Sequence, residues 1–197
     1  MENPLLSSAE TFRHIRIIIG MILGLSITRL LNGLVRIIQH PKQTQIYSVH
    51  IAWVIYLLLA LVHFWWWELS LIELSSWQFE TYLFLITYVI VLFFLSVFLF
   101  PDSLSDYAGY EDFFISRRQW FFGFFAIMTI FDLIDTFIKG REHLAMLGTE
   151  YLIRVSVYLV LCGVAVYTSN RRFHKAFAVA AVTYNISWIV RYYNTLR

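Results

Sequence analysis

Charged side chains stand in the apolar stretches of this chain at regular intervals. Arg29, Asn32, Gly33 and Arg36 fall at i, i+3, i+4 and i+7; Asp132, Asp135, Thr136 and Lys139 repeat those intervals, with Thr129 one turn earlier. On a helix such spacing gathers each set on one face. An ionised group at the centre of a bilayer costs about 2.5–3.5 kcal/mol on insertion scales, so it faces protein or water and takes a partner. Two chemistries fit. One is a set of ion pairs that locks helices together. The other is a polar path for an ion, a proton or a small solute.

The first stripe is basic and the second mainly acidic. Arg29 lies thirteen residues beyond Arg16, roughly 20 Å along a helix, too far for its head to snorkel to that end. The expected partner is Asp132, whose carboxylate suits the guanidinium fork, with Asp135 or backbone carbonyls as substitutes. Arg154 offers another route to the Asp132/Asp135 face, because its helix turns back beside theirs.

His63 shares a helix face with Tyr56, Trp67 and Ser70. An imidazole ordinarily titrates near neutrality, so it is a candidate proton carrier, set against a hydrogen-bonded core histidine. The other histidines fall near the ends of the apolar stretches. A bis-histidine haem therefore lacks its second ligand, and metal sites need three or four ligands together. No cofactor or metal is expected. No nucleophile–base pair, phosphate loop or HExxH motif occurs, so a membrane-embedded enzyme acting on a lipid-soluble substrate ranks third among the readings.

The aromatic run Phe64-Trp65-Trp66-Trp67, followed by Trp77, reads as an interfacial belt rather than a ligand cage. Gly20 and Gly24 form a GxxxG that permits close helix packing, and Ala176, Ala180 and Ala181 offer a second small-residue face. Asn185-Ile186-Ser187 matches a glycosylation sequon but lies inside an apolar stretch and is set aside.

The elements that carry these residues follow from hydropathy. Of 197 residues, 59% are hydrophobic and 14% charged, with mean hydropathy +0.66; soluble domains carry about 25% charged residues. A hydrocarbon core takes about 20 helical residues to cross. Six apolar runs qualify or nearly qualify: 17–38, 48–67, 81–101, 119–138, 151–170 and 173–193. The last is the weakest, and five spans plus a surface helix is the fallback. Their all-round apolarity excludes a barrel, whose strands alternate. The expected fold is all-α, a polytopic integral membrane helical bundle and single domain of about six transmembrane helices. Segment 102–118 is expected as one interfacial amphipathic helix, because Tyr107, Tyr110 and Phe114 recur at helical spacing. His40-Pro41-Lys42 is expected to end the first helix. Met1 to Glu10 has no basic residue, unlike a cleaved signal peptide, so the first helix is expected to remain.

A net charge of +2 excludes a nucleic-acid footprint. The single Cys162 forms no intrachain disulfide. Basic residues are balanced: Arg13, Arg16, Lys139, Arg141, Arg191 and Arg197 on the N-terminal side face Arg36, Lys42, Arg117, Arg118, Arg171, Arg172 and Lys175 on the other. The connection from Glu68 to Glu80 has no Lys or Arg, which favours both termini outside the cytoplasm. The expected location is a multi-pass position in a bacterial inner (plasma) membrane, with lipids and either further copies of the chain or another membrane protein as partners. The leading functional expectation is a channel or transporter, its path lined or gated by Arg29, Asn32, Arg36, His63, Asp132, Asp135 and Arg154. The rival is a non-transporting subunit or assembly protein in which these charges only pack helices.

Overall fold

Long apolar runs separated by polar turns fold into six helices. The structure is a computed structural model that describes residues 8–40, 46–73 and 77–195. The helices are α1 (Ser8–Gln39), α2 (Ser48–Trp67), α3 (Phe79–Leu99), α4 (Tyr110–Ile138), α5 (Arg141–Tyr167) and α6 (Arg171–Thr195), with a 3-10 turn at Glu68–Glu73. No strand occurs among the described residues. The first five are long and apolar enough to cross a membrane. Helix α6 has 25 residues, but its charge-free centre is only Ala176–Val190. Pro41 and Lys42, expected to stop the first helix, lie outside the described residues, as do Met1 to Ser7 and Arg197.

Several boundaries differ from hydropathy. Helix α1 begins nine residues before the apolar run and α5 ten residues before. Segment 102–118 is not a separate interfacial helix: residues 102–109 form an irregular connection, and Tyr110 onward is already α4. Helical hydrogen bonding continues through polar residues, whereas hydropathy registers only the apolar part. The acidic first turn of α4 also favours its start there, since carboxylates suit the positive end of a helix; Asp112 accepts a hydrogen bond from Ala108 N–H at 3.1 Å, and Glu111 pairs with Arg171.

The helices run alternately up and down, so one end of the bundle carries the start of α1 (the N-terminal end) and the other is the opposite end. Helix α1 packs mainly on α3, α2 on α6, and α4 on both α3 and α5, while α5 and α6 touch only lightly. The outer surface is apolar, with Met21, Leu25, Val62, Ile153 and Val160 all exposed, as a lipid solvent allows. The core is aromatic. Trp53 is fully buried, and Phe121, Phe122, Phe125 and Phe177 meet it edge-on at centroid distances of 5.1–5.5 Å, a favoured geometry for ring quadrupoles.

Helix α3 ends at the opposite end of the bundle, where Pro101 cannot continue the hydrogen-bond ladder. Its last carbonyls need donors. His50 Nε2 lies 2.5 Å from the Leu99 carbonyl, Arg29 donates to Phe100 O at 2.8 Å and to Asp102 at 2.9 Å, and Arg36 reaches the carbonyls of Pro101 and Asp102 at 3.3 and 3.2 Å. The basic stripe of α1 is therefore a cap for α3, with cations at the negative end of a helix dipole. Gly33 makes it fit: a Cβ there would stand 2.3 Å from the Phe100 ring. Gly20 similarly admits Trp65, whereas Gly24 is exposed with nothing near it, so the GxxxG does not act as a pair within the chain. Of the small-residue face on α6, Ala181 is buried but Ala176 and Ala180 are exposed; the packed face is Phe177, Ala178 and Ala181.

This contact yields a prediction. Gly33→Val should force the buried Phe100 ring away from α1 and cost about 1–3 kcal/mol, in the range for overpacking. Thermal unfolding in detergent measures it; a variant as stable as the parent would show that the close approach is not required.

Candidate functional site

Helices α4 and α5 are joined by the short turn at Lys139 and Gly140 and run antiparallel, so residues on their facing sides meet in order of height. Asp132 of α4 thereby meets Arg154 of α5, Oδ2 to Nη2 at 2.7 Å. The Tyr151 hydroxyl lies 3.1 Å from the same carboxylate oxygen, 3.0 Å from the Asp132 carbonyl and 2.9 Å from Thr136 Oγ1. The Arg154 guanidinium also lies over the rings of Tyr151 and Trp188, at 4.8 and 5.5 Å. Gly148 helps to set this arrangement. Its φ of +67° and ψ of −173° break α5, a conformation open to glycine and strained for other residues. The first two turns of α5 thus take their own course, bringing His143 against Trp67 at 4.9 Å.

The loosely joined α5 and α6 leave a cavity of about 80 Å³ bounded by all helices except α1. Its polar wall is Tyr56 and His63 of α2, Tyr88 of α3, Thr129 and Asp132 of α4, Tyr151, Arg154 and Tyr158 of α5, and Asn185 of α6. A site needs about 10–15 Å³ to accept one water centre, so this one admits several waters or a solute of a few heavy atoms. Asp132 and Arg154 keep 28% and 19% of their side chains accessible; a water-sized molecule reaches both. The Asn185 amide oxygen is buried with no hydrogen-bond partner among the described residues. Tyr56 and Tyr158 form the floor and rest on the aromatic core, Tyr56 on Phe125 at 5.3 Å and Tyr158 on Phe125 at 5.7 Å. His63 has a second neighbour: an apolar groove of about 360 Å³ on the outer surface, otherwise lined by Leu59, Val62, Trp66 and Ile189.

One turn beyond Asp132, towards the N-terminal end, lies a second charged group. Lys139 Nζ contacts Glu68 Oε1 at 2.9 Å and Asp135 Oδ2 at 2.5 Å, and all three side chains are 1% exposed. Trp67 covers the ammonium, with Nζ 5.5 Å from its ring.

The expected path residues thus separate. Asp132, Arg154 and His63 share the cavity; Asp135 belongs to the buried triad beside it; Arg29 and Arg36 cap α3 at the opposite end; Asn32 is exposed. The expected Arg29–Asp132 pair is not formed, because Arg29 lies level with the C-terminus of α3 and meets its carbonyls first. Two further histidines are more deeply buried than His63, although they start helices: His50 and His174 are both 0% exposed, and His174 Nε2 lies 2.9 Å from the Thr168 carbonyl that ends α5. Sequence reasoning missed Glu68, Tyr151, Tyr158 and Asn185. Tyr151 and Tyr158 flank Arg154 at helical spacing, a usable signal; nothing local marks Glu68, whose partner is 71 residues away. The tryptophan run is divided: Trp65 and Trp66 are exposed, whereas Trp67 turns inward over Lys139.

Fold and site together define a helical membrane bundle with an ion-paired polar cavity in its interior. Comparison with known protein families, with curated proteins and with solved structures finds no match.

Removing one partner of a largely buried ion pair leaves the other charge unanswered. Arg154→Leu or Asp132→Leu alone should cost about 3 kcal/mol, the low end for breaking a buried pair, and the double variant should recover much of that loss. Arg29→Leu should also destabilise, with no rescue by Asp132→Leu. A double-mutant cycle on thermal stability checks both; additivity at 132/154 would remove the pairing.

Proposed function

We propose that this protein transports a proton, a small ion or a solute of a few heavy atoms, and that it does so from a partly open site within the bundle rather than through a continuous pore. The observation that supports this reading is the partly open cavity of about 80 Å³ lined by the accessible Asp132–Arg154 pair, four tyrosines, His63 and Asn185, whose amide oxygen has no hydrogen-bond partner among the described residues. Polar groups converging on a space inside an apolar bundle give a hydrated binding position, which a protein selected only for packing would have filled with side chains. The packed aromatic core beneath Tyr56 and Tyr158 closes the site towards the opposite end, so passage requires a second conformation in which those rings part. Asp132 and His63 are the groups suited to carry a proton, and Arg154 holds Asp132 in place.

The rival reading, a non-transporting membrane subunit, has its own support: Arg29, Lys139, Arg154 and Arg191 each have a carboxylate partner, as packing alone would require. We favour both termini outside the cytoplasm, because Lys139 is consumed by its buried ion pairs and the Glu68–Glu80 connection adds no basic residue to the N-terminal side.

Flux separates the two readings. In proteoliposomes carrying a pH-sensitive dye, or loaded for sodium or chloride flux, the parent chain should dissipate an imposed gradient of one of the three faster than protein-free vesicles. The folded Asp132→Leu/Arg154→Leu double variant should fall to the protein-free rate. No flux above empty vesicles for protons, sodium and chloride alike, or unchanged flux in the double variant, would favour the packing role.

A further inference from the structure

The Glu68–Lys139–Asp135 cluster brings two carboxylates onto one ammonium in a region with almost no solvent contact. If all three groups were ionised the cluster would carry one uncompensated negative charge. Each lone anion in so dry a place is costly by several kcal/mol unless answered. The helices make that charge less favourable still. Glu68 is the C-cap residue of α2 and Lys139 that of α4, with Asp135 one turn before the end of α4. The negative ends of two helix dipoles therefore converge where the two carboxylates stand. Two oxygens remain, Glu68 Oε2 and Asp135 Oδ1, both buried and neither with a hydrogen-bond partner among the described protein atoms.

From this geometry we infer that the cluster is a proton-binding site: one proton is held on the Glu68/Asp135 pair, so that one carboxyl is neutral while the other is paired with Lys139. The two orphaned oxygens are the positions it occupies, and its binding brings the net charge of the cluster to zero. Among the described residues, the ion pairs of Glu68 and Asp135 are those with Lys139, and His63 of α2 lies within electrostatic range of Lys139. Asp132 is answered by Arg154. Tyr88 of α3 lies within electrostatic range of Glu68 and Asp135, and Tyr192 of α6 within range of Lys139; a phenol is ordinarily neutral near neutral pH. His143 of α5 packs against Trp67, as Lys139 does from its own side; Arg16 of α1 lies instead over Trp65. The site is distinct from the cavity, and the inference stands whether or not the chain transports anything.

Infrared difference spectroscopy on the full chain in nanodiscs, with exchange from H₂O to D₂O, reads a neutral carboxyl directly through its C=O stretch. At neutral pH the parent protein should show one such band. Glu68→Gln and Asp135→Asn should each abolish it, because either substitution leaves a balanced carboxylate–ammonium pair that needs no proton. Both variants should stay folded, since the amide imitates the neutral acid. His143→Gln should keep the band. A parent spectrum without the band, a band that survives in both amide variants, or one lost in His143→Gln would overturn the assignment. So would a melting temperature raised by sodium or potassium in the parent but not in Glu68→Gln, which would make a metal cation the bound species.

Discussion

Hydrocarbon offers neither a hydrogen bond nor a counter-charge, and the arrangement of this protein follows from that one constraint. Among the described residues, each basic side chain deep in the bundle is answered at its own height. At the opposite end, Arg29 and Arg36 meet the carbonyls that Pro101 leaves exposed at the end of α3. In the middle, Arg154 meets Asp132. At the N-terminal end, Lys139 gathers Glu68 and Asp135. Each of these contacts joins different helices or secures their connections. The polar residues thereby fix a packing register that lipid-like side chains, which gain little from preferring one another over lipid, would leave loose.

The cavity is a consequence of where the apolar packing stops. Trp53 and its ring of phenylalanines fill the half of the bundle towards the opposite end at short centroid distances. Above them α5 breaks at Gly148 and meets α6 only lightly, tied at the surface by Glu150 and Arg191 at 2.5 and 2.9 Å. Aliphatic side chains in that gap would close it. A carboxylate, a guanidinium and tyrosine hydroxyls stand there instead, and the space beside them is large enough to admit water.

Much of the fold was legible from the chain. Runs such as Ser48–Trp67 contain no charge and match the thickness of a bilayer, so their helical state is dictated by the need to satisfy every backbone group internally. Helix ends were less legible, because the polar turns before Gln119 and Tyr151 continue a helix without a hydropathic signal. Faces were legible and partners were not. The i, i+3, i+4, i+7 spacing put Asp132 and Asp135 on one side of α4, yet the two belong to different clusters. Arg29 was matched with Asp132 by depth in sequence, but the true neighbour depends on which helix ends beside it. Glu68 shows the limit most clearly: it follows three tryptophans at a helix end, resembles an interfacial loop residue, and is 1% exposed against a lysine from a distant helix.

On the proposed function, the interior charges around Asp132 and Arg154 border a wet space. The most direct test is the reaction of silver ion, about as small as water, with a single thiol placed at Asn185 in the full chain, after the buried Cys162 has been replaced by alanine. A lipid-facing thiol at Val160, a residue 66% exposed on the apolar surface, serves as reference, and protection from later maleimide labelling in detergent is the readout. If the space is wet, Asn185→Cys reacts much faster than Val160→Cys in intact membranes. Reaction at 185 as slow as at 160 would mean a dry interior and would contradict it.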